Sequence, residues 1–295
     1  MVDLAAYLNE RRREVDAIVA RFLPKPAPPI PDLGVALDDA LAGGGKRIRP
    51  ILVLAVADLL KAPHARVDFL AAAVEFIHSA SLALDDLPSM DDSPTRRSQP
   101  ALHVKHGEAL AILAAIALLM GSVEVMAAGA AREKLKREKI AELLQLVGGT
   151  CGFDGMAAGQ WADLSLLKPG APLRTVEFIH RRKTGKLFEL ALRGSAIVLG
   201  ANEAETAALD AYGKNLGLAF QVKDDLLDRE GYAAKLGKPV RKDQGKTTFV
   251  DLAGRAAAHR LLDELVTTAT DSLAIFGRRG EPLTALAAFV RDRES

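Results

Sequence analysis

The chain has a single cysteine, Cys151, in 295 residues. That excludes an internal disulfide and fits a reducing cytoplasm, the expected location. Aromatics are scarce, at 5% of residues, and alternating Val/Thr/Tyr runs are few, so sheets are not expected. The net charge of +1 is too small to gather nucleic acid or an anionic membrane surface from a distance, and any basic function must be local. No Ser/His/Asp or Cys/His grouping suggests a nucleophile. A long apolar span is also missing. The most apolar stretch, residues 109–123, runs fifteen residues without a charge, short of the ~20 a bilayer crossing needs. It reads as a helix buried on all sides, at a core or a subunit contact, with no membrane span. Residues 1–23 mix apolar side chains with Glu10, Arg11, Arg12, Arg13 and Glu14, unlike a signal peptide, and predict a surface helix.

What the chain does contain is apolar residue, 49% of the total, in Ala/Leu-rich runs punctuated by Gly and Pro. We expect an all-α protein: one domain over residues 1–295, with residues 1–31 forming an N-terminal helix and a Pro-rich linker (PKPAPPIP). Helical runs are predicted at 32–42, 48–61, 65–87, 107–130, 132–150, 152–163, 173–200, 203–230, 247–275 and 281–293, a bundle of about ten helices.

Two carboxylate clusters interrupt this apolar chain: Asp85-Asp86-Leu87-Pro88-Ser89-Met90-Asp91-Asp92 and Asp224-Asp225-Leu226-Leu227-Asp228. Asp224 and Asp228, at i and i+4, share a helix face. Unpaired carboxylates carried into an apolar body cost several kcal/mol each, ~2–7 for a polar group and more for a charge, unless cations compensate. Oxygen-only donors without nearby His or Cys favour Mg2+ over zinc, and Mg2+ is usually held by one or two carboxylates plus substrate phosphates. In the first cluster Asp85 and Asp91 are too far apart for one helix face, so Pro88 should end the helix at Leu87 and return Asp91 in a loop. Read together, the clusters look like the two jaws of a magnesium clamp. Taken singly, each could equally be a helix-end cap or a solvated turn.

Positive groups gather where helices break. Gly43-Gly44-Gly45-Lys46-Arg47-Ile48-Arg49-Pro50 sets Lys and Arg beside a helix start after a glycine loop, a phosphate-binding arrangement. Arg96-Arg97 follow the first aspartates. His180, Arg181, Arg182, Lys183 and Lys186 surround Thr184-Gly185 inside a helical run, where glycine costs about 1 kcal/mol and a kink would expose Lys183 and the Thr184 carbonyl. Residues 231–246 carry Lys235, Lys238, Arg241, Lys242 and Lys246 among glycines and proline. Jointly these groups imply ligands with more charge than one phosphate. His78 lies two turns before Asp85, on a similar face.

The blocks GGGKRIRP, DDLPSMDD followed by RR, HVKHGEALAIL, RRKTGKL, FQVKDDLLD and LGKPVRKDQGKTT, in this order over nearly the whole chain, resemble the trans-isoprenyl diphosphate synthases, in particular the bacterial short-chain farnesyl and geranylgeranyl diphosphate synthases. The resemblance implies a helical bundle around a central cavity and a homodimer. It also implies condensation of isopentenyl diphosphate with an allylic diphosphate, assisted by Mg2+, with three ions when substrate is bound. Asp85, Asp91 and Asp224 then resemble the magnesium ligands, with Asp86, Asp225 and Asp228 as further ligands or as acceptors behind them. Arg96, Lys183 and Lys238, joined by Lys246, resemble the groups on the allylic diphosphate. Lys46, Arg49, His78 and Arg97 resemble the isopentenyl diphosphate pocket, and Thr184 and Gln221 the residues that stabilise the allylic cation.

A growing tail should run from the metal site back along the helix that ends at Asp85. Five residues upstream lie about 7.5 Å deeper, at Ala80, followed by Ser81, both small. Farnesyl synthases of the resembled type carry an aromatic ring there and geranylgeranyl synthases a small residue, so a C20 product is expected over C15. Leu119 or Met120 would form a second floor. Three positions depart from the resembled pattern: Leu84 before the first Asp pair, Ser98-Gln99-Pro100 after Arg97, and Ala115-Ile116 in the apolar helix. Two rival readings are a class I terpene cyclase, which would not need the Lys46/Arg49 pocket, and a catalytically silent partner subunit, which would not need both aspartate clusters.

Overall fold

The structure, a computed structural model, describes residues 3–23, 29–42, 45–97, 99–230 and 247–294. Described residues form fourteen α-helical segments and one two-stranded ladder, so the chain is all-α. Contacts gather in two compact units, residues 5–141 and residues 142–295 with residues 1–4.

The first unit is built on apolar periodicity so dense that two helices have almost no exposed face. Leu4–Phe22 (α1), Pro31–Ala42 (α2) and Ile48–Leu59 (α3) precede a 3-10 turn, His64–Arg66, and then Asp68–Asp85 (α4). In α3 every residue from Pro50 to Ala57 is buried, and in α4 every residue from Asp68 to Ile77. Each large apolar side chain sealed in this way contributes about 1.5–3 kcal/mol. A short hairpin pairs Thr95–Arg96 (β1) with Gln99–Pro100 (β2), setting Thr95 opposite Pro100 and Arg96 opposite Gln99. Leu102–His106 (α5) leads into Glu108–Arg132 (α6).

At 25 residues α6 is long and apolar enough to cross a membrane by length and composition. One face of it nevertheless packs along α4. The small residues Ala111, Ala114, Ala115, Gly121 and Gly129 are on the buried side. A Cβ on Gly129 would lie 2.1 Å from Cγ of Phe69, and one on Gly121 would lie 4.0 Å from Phe76. The two helices therefore run antiparallel in close contact, and glycine is required at 129 because the Phe69 ring occupies that space.

Charged side chains fasten α1 to this core. Tyr7 donates to Asp58 at 2.9 Å, His64 bridges Asp58 (2.8 Å) and Glu14 (2.6 Å), and Arg21 reaches Asp68 at 2.5 Å.

Arg137–Cys151 (α7) leads into the second unit, followed by Met156–Leu166 (α8), Leu173–Ile179 (α9), a π-helical turn His180–Gly185, and Lys186–Leu199 (α10). Glu203–Glu230 (α11), about 42 Å long at 1.5 Å per residue, packs on α10 and on the later helices Phe249–Ala253 (α12), Arg255–Ser272 (α13) and Glu281–Asp292 (α14). Asn202 and Glu205 cap its start reciprocally, at 2.9 and 3.0 Å. The buried Tyr212 hydroxyl ties its middle to the Leu283 carbonyl at 2.7 Å. The run predicted at 247–275 divides at Gly254, whose φ of +82° closes α12 before α13 starts.

Candidate active site

In the first unit the carboxylates lie where α4 stops. The helix ends at Asp85, two residues short of the expected Leu87, as the chain turns ahead of Pro88. The Asp91 N–H returns to the Asp85 carbonyl at 2.9 Å, and the Met90 and Asp92 N–H groups bond the Leu87 carbonyl at 2.9 and 3.1 Å. This knot brings Asp91, which is exposed, back beside the half-buried Asp85. Asp86 faces elsewhere. Its carboxylate is almost wholly buried and accepts Nε of Arg96 at 3.0 and 3.1 Å as well as Nη2 of the same guanidinium. Asp86 holds Arg96 on the hairpin, and the pairing raises the basicity of that guanidinium.

The basic residues of this unit also converge. A Cβ on Gly45, at φ +87°, would lie 2.6 Å from Cζ of Arg97, so glycine is needed there for the guanidinium to rest on the turn. Nη1 of Arg49 lies 3.3 Å from Nε2 of His78. Arginine only donates, so His78 accepts and its proton sits on Nδ1. Burial first, then Arg49 and Arg97, push His78 well below the ordinary histidine range. His78 is thus a neutral anchor for Arg49. A cavity of about 710 Å³ in the same unit is lined by Asp39, Ala42, Ser79, Leu82, Asp86, Arg96 and Arg97, among others. Ala80 is fully buried and is not among its lining residues, and neither is Ser81.

In the second unit the acidic stripe lies near the C-terminal end of α11. Gln221, Asp224 and Asp228 follow at spacings of three and four, so they share a face. Asp225 is turned inward: it is buried, accepts the Phe249 N–H at 2.9 Å and lies 3.6 Å from Nε2 of His180. Like Asp86, it serves as an acceptor within the fold. Thr184 lies in the π turn and donates its hydroxyl to Oε1 of Gln221 at 2.8 Å. Glycines make that approach possible. A Cβ on Gly159 of α8 would come within 2.4 Å of the Lys183 nitrogen, and one on Gly217 of α11 within 3.0 Å of the Gly185 Cα. The kink expected at Thr184-Gly185 is therefore a π turn clasped between two helices.

Several partners carry no short-range sequence signal. Lys183 is held by the buried Asp163 of α8 at 2.8 Å. Arg293 reaches Asp224 at 2.5 Å while stacking 4.0 Å over Phe220. His180 is driven by burial down to about 4 and is neutral at ordinary pH. These contacts link residues 20 to 73 positions apart, beyond what a helical period reveals. Burial also pushes the Cys151 thiol up to about 11, in keeping with the lack of a nucleophile. Lys238 and Lys246 lie outside the described residues.

Among the described residues no three His, Cys, Asp or Glu side chains are grouped closely enough to cage a metal ion. Mg2+ is typically held by one or two carboxylates with the remaining positions filled by water and phosphate oxygens. Asp85 and Asp91 on their turn, and Asp224 and Asp228 on their stripe, form carboxylate pairs of that kind, with Asp224 also bonded to Arg293 and with Asp86 and Asp225 turned into the fold.

A sequence model of the polyprenyl synthetase family matches residues 31–274. Farnesyl diphosphate synthase of Geobacillus stearothermophilus is 38% identical over 258 residues, 87% of this chain and 86% of the relative. Geranylgeranyl diphosphate synthase of Cyanophora paradoxa is 35% identical, covering 99% of this chain and 97% of the relative. Among solved structures, a farnesyl/geranylfarnesyl (FPP/GFPP) synthase from Zymomonas mobilis superimposes with a TM-score of 0.86 at 32% identity, covering 98% of this chain and 99% of the other. The chain belongs to the polyprenyl synthetase family. It is a short-chain prenyltransferase.

Proposed function

We propose that this enzyme condenses isopentenyl diphosphate with an allylic diphosphate, head to tail, and that its main product is geranylgeranyl diphosphate. Ala80 carries the choice of product. It is small, buried and five residues before Asp85, and no aromatic ring stands there to stop a C15 tail. The contacts of Phe69 with Gly129 and of Phe76 with Gly121 set the register of α4 on α6. Continued, that register puts residues 117–118 level with Ala80 and the half-buried Leu119 slightly deeper, where a longer tail would end, whereas Met120, 59% exposed, belongs to the outer side of α6 and is no floor within this chain. Farnesyl diphosphate is the second reading, favoured by the relatives from Geobacillus stearothermophilus and Escherichia coli that carry that name.

We assign magnesium to Asp85 and Asp91 and to Asp224 and Asp228, three ions in all when substrate is bound. Bound there, magnesium would neutralise the departing diphosphate. The chain's own residues do the rest. Arg96, locked by Asp86, and Lys183, steadied by Asp163, offer fixed positive charge to the allylic diphosphate. Lys238 and Lys246 are assigned to the same group from the sequence. Lys46, Arg49 with its neutral anchor His78, and Arg97 receive isopentenyl diphosphate. The Thr184 carbonyl and the Gln221 amide, joined through the Thr184 hydroxyl, aim fixed dipoles at developing positive charge, and such preorganisation is usually the largest catalytic term. In this reading the tail runs past the buried Ala80, where exclusion of water protects the cation from quenching.

Supplying Mg2+, isopentenyl diphosphate and each of the C5, C10 and C15 allylic diphosphates, with products sized by chromatography, tests this reading. Elongation to C20 is expected. Accumulation at C15 would favour the farnesyl reading, and no condensation with any starter would refute both.

We also propose a homodimer. Ile112, Leu113, Ile116 and Met120 are 38–59% exposed along one side of α6, and a second copy of this face is the natural cover for it.

A further inference from the structure

Arg47 is flanked by the candidate diphosphate groups Lys46 and Arg49, yet it is closed to any ligand. It stands at the start of α3 with φ +50°, a left-handed conformation that bulky residues rarely adopt. Its side chain is only 5% exposed and is fully engaged: Nε donates to Asp16 of α1 at 3.0 Å, Nη1 to Glu75 of α4, and Nη2 to the Leu41 carbonyl of α2 at 2.6 Å. Glu75 is 1% exposed, one turn before His78. Burial raises its carboxyl above the ordinary range, and Arg47, Arg97 and Arg49, in that order, pull it back. One buried carboxylate therefore sits in the field of three guanidiniums, two of which we assign to isopentenyl diphosphate.

We propose that Glu75 and Arg47 are positioning residues for isopentenyl diphosphate, and that their buried pair sets the Gly45-Lys46-Arg47 turn and gathers Arg49 and Arg97 around it. Two observations besides the pair itself support this. The turn takes positive φ on both sides of Lys46, at Gly45 (+87°) and at Arg47 (+50°), and for the bulky Arg47 such a conformation persists only where surroundings over-determine it. Arg97 also rests directly on Gly45, so a shift of the turn moves Arg97 as well as Lys46. Without the Glu75 charge, Arg47, Arg49 and Arg97 repel one another in a partly buried space, and the preorganisation of the pocket is lost. The groups assigned to the allylic diphosphate, Arg96 and Lys183, are held by other carboxylates, Asp86 and Asp163, so the allylic side should be spared.

This inference rests on the pocket assignment above, and the test separates the two. Wild type, Glu75→Gln, Arg47→Lys and the double variant Arg47→Met/Glu75→Leu would be compared in KM for isopentenyl diphosphate, KM for the allylic diphosphate, kcat and melting temperature. The double variant removes both charges while filling the space, which keeps the fold when a single change does not. The expected result is a roughly ten-fold rise in KM for isopentenyl diphosphate in the folded variants, the double variant included, with allylic KM and saturated kcat within about two-fold of wild type. A double variant with wild-type KM for isopentenyl diphosphate would show that the pair is only structural. Equal rises in both KM values would likewise overturn the inference. Wild type that fails to use isopentenyl diphosphate would overturn the pocket assignment and this inference with it.

Discussion

At the scale of single residues, neighbouring aspartates do different work, and the difference is measurable. Asp86 is buried and bound to Arg96, whereas Asp91 is exposed at the tip of its turn. Asp86→Ala should lower stability by roughly 2–3 kcal/mol, the cost of stranding a charge-paired partner, as well as weaken catalysis. Asp91→Ala should leave stability within about 0.5 kcal/mol and still lose activity by several orders of magnitude. Denaturant melts with turnover assays on both variants decide, and equal destabilisation would mean the roles are misassigned. The spacing of Asp85, Asp91, Asp224 and Asp228 was legible in the sequence because i, i+4 and a proline break are local features. The inward turn of Asp86 and Asp225 was not, because a residue's tertiary partner leaves no mark on helical periodicity. The same holds for Arg47 and Glu75, joined across 28 positions.

At the scale of elements, α1 is fastened by groups that titrate. Hydrogen bonds that its ring donates to Asp58, first, and to Glu14 raise His64 above its ordinary value against the effect of burial. Burial works against ionisation of Asp58, but bonds from His64 and Tyr7 outweigh it and hold the carboxyl below its usual range. A raised histidine contributes stability that is complete below its unfolded value of about 6.5 and is lost as pH rises through the folded one. A lowered aspartate contributes above about 3.9 and is lost as pH falls through its folded value. Docking of α1 should therefore be firmest between roughly pH 4 and 6.5. The melting temperature of wild type should fall between pH 6 and 9 more steeply than that of His64→Gln, and parallel curves would exclude the latch. Packing between elements gives a second expectation: Gly159→Val should distort the π turn at Lys183 and cost activity, detectable by kinetics even where the fold survives. Long helices were readable from their period, and Gly185 marked the break. The hairpin was missed because two-residue strands have no period to read.

At the scale of the molecule, composition pointed to an all-α chain, and the order of its motifs carried the family. The apolar run 109–123 was expected to be buried on all sides, yet in the single chain Ile112, Leu113, Ile116 and Met120 remain exposed. A second copy would account for them. Ile116→Glu should shift the protein from dimer to monomer in light scattering, and an unchanged mass would place the interface elsewhere.

The most direct test of the whole account is the product made from isopentenyl diphosphate and the C15 allylic diphosphate by wild type and by Ala80→Phe. Wild type should yield C20, and the variant, supplied with shorter starters, should stop at C15. Identical product lengths from the two proteins would contradict the assignment of Ala80, and absence of any elongation by wild type would contradict the proposed chemistry itself.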